Sequence, residues 1–233
     1  MLIDILSLFP EYFRGPFDVS IVKRAIEKGL LEIRQTDIRD FAEGRHRKVD
    51  DRPFGGGPGM VLMPQPLTKA IHARKETDSH VICLSPQGKV LTAEIAQRLA
   101  KKRHLILICG HYEGVDERVL EKDVHEEISI GDYVLTSGCI AAVVLVETVI
   151  RFIEGVLGHE DSALKDSFQG GIFDAPQYTR PEVFEGLAVP SILTKGNHAE
   201  IEKWRKEQAL KKTKRVRPDL YYFYLDRTHK LNS

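Results

Sequence analysis

The stretch Val81-Ile-Cys-Leu-Ser-Pro-Gln-Gly88, followed after a helical pattern by Leu105-Ile-Leu-Ile-Cys-Gly-His-Tyr-Glu-Gly114, decides the fold. Each half is a short apolar run that stops at a glycine-containing turn, and Ala93 to Lys102 between them has helical spacing. Further strand-like runs lie at Leu2 to Phe9, Leu31 to Ile38 and Glu127 to Ile130, with helical patterns at Ser20 to Lys28, Pro66 to Lys75 and Asp116 to Lys122. Such alternation predicts an α/β fold with a mostly parallel sheet flanked by helices. Cys139 to Ile153 is apolar nearly all round and is expected in the core or in a subunit interface. Ligands of open parallel sheets bind beyond the carboxyl ends of the strands. Here those ends are Leu84 to Gly88, Cys109 to Gly114 and Ile130 to Gly138.

The chain has 233 residues, and 42% of them are hydrophobic, enough for a real core. Lysine plus arginine and aspartate plus glutamate both total 34, so no global field announces a nucleic-acid partner. The charge is uneven, however. Lys203, Arg205, Lys206, Lys211, Lys212, Lys214, Arg215 and Arg217 face a single acid, Glu207, within Lys203 to Arg217. A solvated helix face and a grip on a phosphate backbone both fit that run. Cys83, Cys109 and Cys139 sit in apolar runs without metal-ligand spacing and are expected as buried, reduced thiols in a cytoplasmic protein. The apolar N-terminus lacks a basic leader and reads as a first strand, and the apolar run Cys139 to Val146 is too short to cross a bilayer.

After Gly155 the pattern changes. Asp166-Ser-Phe-Gln-Gly-Gly-Ile-Phe-Asp-Ala-Pro-Gln-Tyr-Thr-Arg-Pro181 is too rich in glycine and proline for helix or strand, so it is a structured loop or a linker. From Asn197 onward a helical segment carries Ile201, Trp204 and the basic cluster, which predicts a small helical C-terminal domain. Arg52-Pro-Phe-Gly-Gly-Gly-Pro-Gly-Met60 lacks the Gly-Lys-Ser/Thr ending of a P-loop, and no strand leads into a G-x-G-x-x-G turn. A loop that closes over a ligand and a plain surface turn both fit it. The nine histidines show no ligand spacing, so no metal ligands are assigned.

Cys109-Gly-His-Tyr-Glu-Gly-Val-Asp-Glu-Arg118, Ser129-Ile-Gly-Asp-Tyr-Val-Leu135, Arg151 and Asp166-Ser-Phe168 together closely resemble the bacterial tRNA (guanine-N1)-methyltransferase family, TrmD, of the SPOUT superfamily. The resemblance extends to Val49 through Met60, Leu84 through Gly88, Tyr178-Thr-Arg-Pro181 and Gly196 through Ile201. It implies a homodimer with a deep C-terminal trefoil knot and S-adenosyl-L-methionine as cofactor. Residues 1–155 would form the knotted domain, 156–172 an interdomain linker with the catalytic loop, and 173–233 a helical tRNA-binding domain. By position, the cofactor contacts fall on Leu84, Pro86, Gly110, Tyr112, Glu113, Ile130, Gly131, Asp132, Tyr133, Val134, Leu135 and Gly138.

The resemblance places Asp166 as the general base for guanine N1 and Arg151 as the stabiliser of charge on O6. Ser167 and Asp174 would position the base, while Lys203, Arg205, Lys211 and Arg215, helped by Arg45, Arg47 and Lys48, would hold the anticodon arm of tRNA. The expected acceptor is guanosine 37, unstacked to reach the cofactor. A magnesium dependence is also implied; carboxylates such as Glu113 or Asp174 would suit it chemically. The chain departs from the family at one place. Relatives read Leu-Ser-Gly-Gly-Glu-Leu-Pro-Ala where this chain reads Leu135-Thr-Ser-Gly-Cys-Ile-Ala-Ala142. A positive φ at Ser137 would be strained. The rival readings are a knotted ribose 2′-O methyltransferase, a non-catalytic RNA-binding module, and a phosphate-binding α/β protein built around the Gly55 loop.

Overall fold

The run His104–Cys109 forms the central strand of a five-stranded sheet. The structure is a computed structural model that describes residues 1–158 and 166–231. Along this strand Leu105, Leu107 and Cys109 join one apolar layer, with Ile3, Ile5 and Ile82, while Ile106 and Ile108 join the other, with Leu6 and Val81. Burial on both faces is why the run is apolar at every position.

Numbered along the chain, the strands of the first compact unit, Met1–Gly158, are β1 Leu2–Ser7, β2 Glu32–Asp37, β3 Asp50–Asp51, β4 Val61–Leu62, β5 Ser79–Val90, β6 His104–Cys109 and β7 Glu126–Ser129. The main sheet has the order β2-β1-β6-β5-β7 with every pairing parallel, and β3 and β4 make a small antiparallel pair. Helices α1 (Ser20–Glu27), α3 (Ala93–Ala100) and α5 (Cys139–Ile150) supply one layer; α2 (Pro64–Arg74) and α4 (Glu117–Asp123) supply the other. The α/β architecture expected from the alternating runs is therefore present.

Two boundaries differ from expectation by more than two residues. β5 continues past Leu84 to Val90, because Leu84 and Lys89 both pair opposite Ile128 and the residues between them bulge out of the ladder. α5 ends at Ile150 instead of Ile153; the N–H groups of Phe152 and Ile153 turn back to the carbonyls of Val149 and Ile150 at 3.0 and 3.1 Å. Leu145, Val146 and Val149 of α5 are buried, but Ile140 and Val144 are 41% and 38% exposed.

The amino-terminal end of the sheet, where β1, β5 and β6 begin, holds a buried polar chain. Asp4 Oδ2 lies 2.9 Å from His104 Nε2, and Ser79 Oγ lies 2.8 Å from His104 Nδ1. Arg74 Nε approaches Asp4 Oδ1 at 3.7 Å. Pairing of this kind is what lets a carboxylate sit fully inside an apolar sheet.

The second unit spans His159–Ser233. The linker expected at 156–172 falls partly on residues 159–165, which lie outside the described residues. Val183–Phe184 (β8) and Leu187–Ala188 (β9) form a hairpin, turned by Glu185 and Gly186 with φ of 49° and 80°. Asn197 caps α6 (His198–Val216) by accepting from the Glu200 N–H at 3.4 Å, and α7 (Pro218–Leu231) follows. Thr213, fully buried in α6, donates to the Ala209 carbonyl at 2.8 Å and accepts from the Phe173 N–H at 2.9 Å. That bond anchors the loop from Asp166 to Pro181 to the helix. Among the described residues no helix is long and apolar enough to cross a membrane.

Candidate active site

A bulge within β5 and two loops that leave the carboxyl ends of β6 and β7 enclose a cavity of about 430 Å³. The first is the bulge Ser85–Gly88, forced outward where β5 loses register. The second, Gly110–Gly114, reverses direction through Tyr112 at φ 56° and Gly114 at φ 128°. The third runs from Ile130 to Gly138 and leads into α5.

The second and third loops are stitched together. The Gly138 N–H donates to the Gly110 carbonyl at 2.8 Å, and His111 bridges to Ser137. A Cβ on Gly138 would lie 2.9 Å from Cys109 Cα and 2.9 Å from Gly110 N, so only glycine allows this approach. On the other side, Gly59 of the glycine-rich loop packs against the Glu113 side chain, and the Glu113 N–H donates to the Met60 carbonyl at 3.0 Å. The Leu62 N–H donates to the Gly114 carbonyl at 3.0 Å. The strand leaving the glycine-rich loop is thus tied to the cavity wall.

Of the expected cofactor contacts, Leu84, Pro86, Gly110, Tyr112, Glu113, Ile130, Tyr133, Val134, Leu135 and Gly138 line the cavity. Gly131 and Asp132 do not. Gly131, at φ 143°, instead makes the turn that lets the Tyr133 ring fold over it, and Tyr133 Oη donates to the Ile130 carbonyl at 3.0 Å. Gln87, His111, Glu117, Glu127, Ser129 and Ser137 also line the cavity. Gln87, His111 and Ser137 fall within the strand-end turns where ligands were expected, whereas no strand-end turn contains Glu117, Glu127 or Ser129, whose approach depends on the bulge and on the meeting of the loops.

Beneath the cavity the departure from the family pattern resolves. Ser137 does not have a positive φ, so the anticipated strain is absent. Its Oγ accepts from the Cys139 N–H at 3.3 Å. Cys139 is fully buried, with Sγ 3.2 Å from Ser7 Oγ and 3.8 Å from His111 Nε2. A hydrogen bond with Cys109, joined by those from His111, Ser7 and Ser137, holds the Cys139 thiol down to about 4 against the opposing effect of burial. Burial pushes the Cys109 thiol well up and Cys83 up to about 12. All three cysteines are free and buried.

The other expected site residues are divided between the two units. Arg151 stands at the C-cap of α5, where the helix dipole favours a cation. In the second unit, Asp166 begins a closed turn: its carbonyl accepts from the Gln169 N–H at 3.3 Å, and the Phe168 N–H donates to the Ile172 carbonyl at 2.8 Å. Ser167 Oγ donates to Asp174 Oδ1 and accepts from the Asp174 N–H at 3.0 Å. Lys203, Arg205, Lys211 and Arg215 are all exposed on α6, and Arg205 pairs with Glu202 at 2.7 Å. In the first unit, Arg47 and Lys48 pair with Asp40 and Asp51 at 3.3 and 2.8 Å. Among the described residues no group of three or more His, Cys, Asp or Glu side chains could hold a metal ion.

Fold and cavity together define an α/β protein with a ligand-sized site at the carboxyl ends of its parallel strands. Residues 1–222 match the family described as tRNA (Guanine-1)-methyltransferase TrmD, and the chain belongs to that family of enzymes. It is 65% identical over 220 residues to the tRNA (guanine-N(1)-)-methyltransferase of Protochlamydia amoebophila, covering 94% of this chain and 99% of that one. The enzyme of the same name from Dictyoglomus turgidum is 57% identical over 218 residues, covering 94% and 89%. The one from Chlamydia pneumoniae is 56% identical over 225 residues, and that stretch is 97% of this chain but 62% of the longer relative.

Proposed function

We propose that this chain transfers a methyl group from S-adenosyl-L-methionine to N1 of guanosine 37 of tRNA. The carrying observation is the cavity, in which ten of the twelve expected contacts gather around stitched loops. The site chemistry fits the cofactor. Ile130, Val134 and Leu135 offer apolar surface for an adenine ring, backbone amides and carbonyls can read its edge, and Glu113, Glu117 and Glu127 suit a cationic ligand. Bound there, the cofactor would supply an electrophilic sulfonium methyl.

The protein's own part is alignment and proton removal. Asp166 takes the N1 proton, and Arg151 stabilises the negative charge that this leaves on O6. Ser167, held by Asp174, positions the base. The cations of α6 bind the anticodon arm in a reading supported by their common exposure and by the near absence of acids among them. We further infer a deep trefoil knot in the cavity loops, a reading supported by the Gly138–Gly110 bond, and a homodimer, supported by Ile140 and Val144 exposed on an otherwise buried helix.

The test is nucleoside mass spectrometry of tRNA transcripts incubated with protein and cofactor. 1-Methylguanosine is expected in a transcript with guanosine 37 and absent when that base is replaced. Asp166→Asn is expected to abolish turnover and leave cofactor binding intact. Full activity in that variant removes Asp166 from the role.

A further inference from the structure

The second unit has a concavity of its own, of about 440 Å³, formed by the segment from Pro176 to Glu182, by Val189, Leu193 and Thr194, and by the first turns of α6. Of its lining, the proposed function uses only Arg205. Tyr178 presents a ring that is 48% exposed, and Trp204 stands behind it with ring centroids 6.3 Å apart and planes tilted by 52°. Two guanidinium groups, Arg180 and Arg205, share the lining with the amide of Gln177 and the hydroxyl of Thr194. From the rim, α6 continues as the exposed basic run that ends at Arg217.

We propose that this pocket receives one unstacked nucleotide of the RNA substrate, distinct from the methylated guanosine. An aromatic wall offers a π-face to any base, and guanidinium groups beside it meet the phosphate. The amide and the hydroxyl can pair with a base edge, and the carboxylate of Glu182 can accept from an exocyclic amine. The run of cations on the same helix favours nucleic acid over an acidic peptide, because it supplies a track for the backbone on either side of the captured nucleotide. The pocket therefore fixes the register of the RNA. The proposal rests on the reading of the chain as a tRNA methyltransferase.

Trp204 is the only tryptophan in the chain, so its fluorescence reports the surroundings of the first turns of α6, the Tyr178 ring included. The full-length protein is titrated with tRNA transcripts that carry an abasic site at one anticodon-loop position at a time, position 37 excepted. Wild type, Tyr178→Ala, Tyr178→Phe and Arg180→Gln are compared, and cofactor binding is measured for each as a check on folding. The expected result is a change in Trp204 emission on binding and a loss of affinity on the order of 10-fold for Tyr178→Ala, with Tyr178→Phe near wild type. One abasic position weakens the wild type equally and weakens Tyr178→Ala no further. Arg180→Gln, altered at an exposed position, carries the same test if Tyr178→Ala does not fold.

Additive losses at every position overturn the pocket, as does wild-type affinity in both Tyr178→Ala and Arg180→Gln. Formation of 1-methylguanosine without the coupling leaves the methyltransferase standing and removes the pocket. Coupling without 1-methylguanosine does the reverse. Failure of the wild type to bind any transcript overturns both.

Discussion

Substitution of Gly138 by alanine tests the cavity wall most directly. The new Cβ would meet Cys109 Cα at 2.9 Å, Gly110 N at 2.9 Å and Cys109 C at 3.2 Å. All three are backbone atoms, so no side chain can rotate away. Carbon atoms rest about 3.5–4.0 Å apart, and the two loops must part by roughly half an ångström or more. Overpacking of that kind costs about 1–3 kcal/mol, and weakening the 2.8 Å bond from Gly138 to Gly110 adds about 1 kcal/mol. The expected loss of about 2–4 kcal/mol lowers the melting temperature by roughly 5–10 °C. Gly110→Ala is the matched control: its Cβ meets only the Leu84 carbonyl at 3.5 Å, an ordinary contact, and its φ is not in the left-handed region. Its stability is expected within about 1 kcal/mol of wild type. The assay is urea unfolding of both variants, with cofactor affinity measured by calorimetry on the folded proteins. Gly138→Ala should also weaken cofactor binding, because the parted loops are two walls of the cavity. Equal midpoints for the two variants would refute the argument from close approach.

The remaining expectations concern the amino-terminal end of the sheet, the buried thiol and the basic helix. Asp4→Asn leaves His104 and Arg74 without the buried carboxylate they face; it is expected to cost about 3–5 kcal/mol in urea unfolding while cofactor affinity of the folded protein stays unchanged, since the cluster lies at the amino-terminal end of the sheet. Cys139 is held down to about 4 when folded, against about 8.5 for a free thiol, so its stabilisation is full above the unfolded value and is lost as pH falls through about 4. The stability gap between wild type and Cys139→Ala should widen from acid to mildly basic pH, and a gap independent of pH would contradict the hydrogen-bond assignment. Neutralising Lys203, Lys211 and Arg215 should flatten the logarithmic salt dependence of tRNA binding by about 2–3 units, and an unchanged slope would return these cations to a solvated face.

What could be read from the chain depended on how local each constraint was. β6 was legible because burial on both faces demands an unbroken apolar run, and α5 because it is apolar nearly all round. The continuation of β5 was not legible: Ser85-Pro-Gln-Gly88 has turn composition, and only the shared partner Ile128 shows that the ladder resumes after it. The same holds at Gly59, whose contact with Glu113 joins loops far apart in sequence. The glycines taken as cofactor contacts proved unequal in kind. Gly138 is needed for close approach, whereas Gly131 is needed for a backbone turn and does not itself line the cavity. The β8–β9 hairpin left a signal in Glu185-Gly186, but strands of two residues are too short for alternation to register.

The three departures at the start of α5 make sense together. A glycine at 137 would offer the helix no cap; Ser137 accepts the Cys139 N–H, one of the donors that a helix start leaves unsatisfied. A proline at 141 would fix the backbone in the first turn, where it is tolerated because its N–H is not needed. Ala141 gives up that rigidity but keeps high helix propensity, and the serine cap offsets the loss. A glutamate at 139 would bring a charge into a space that is fully closed here. The smaller thiol meets Ser7 and His111 in less space than a glutamate needs, and its hydrogen bonds lower its value against the opposing effect of burial.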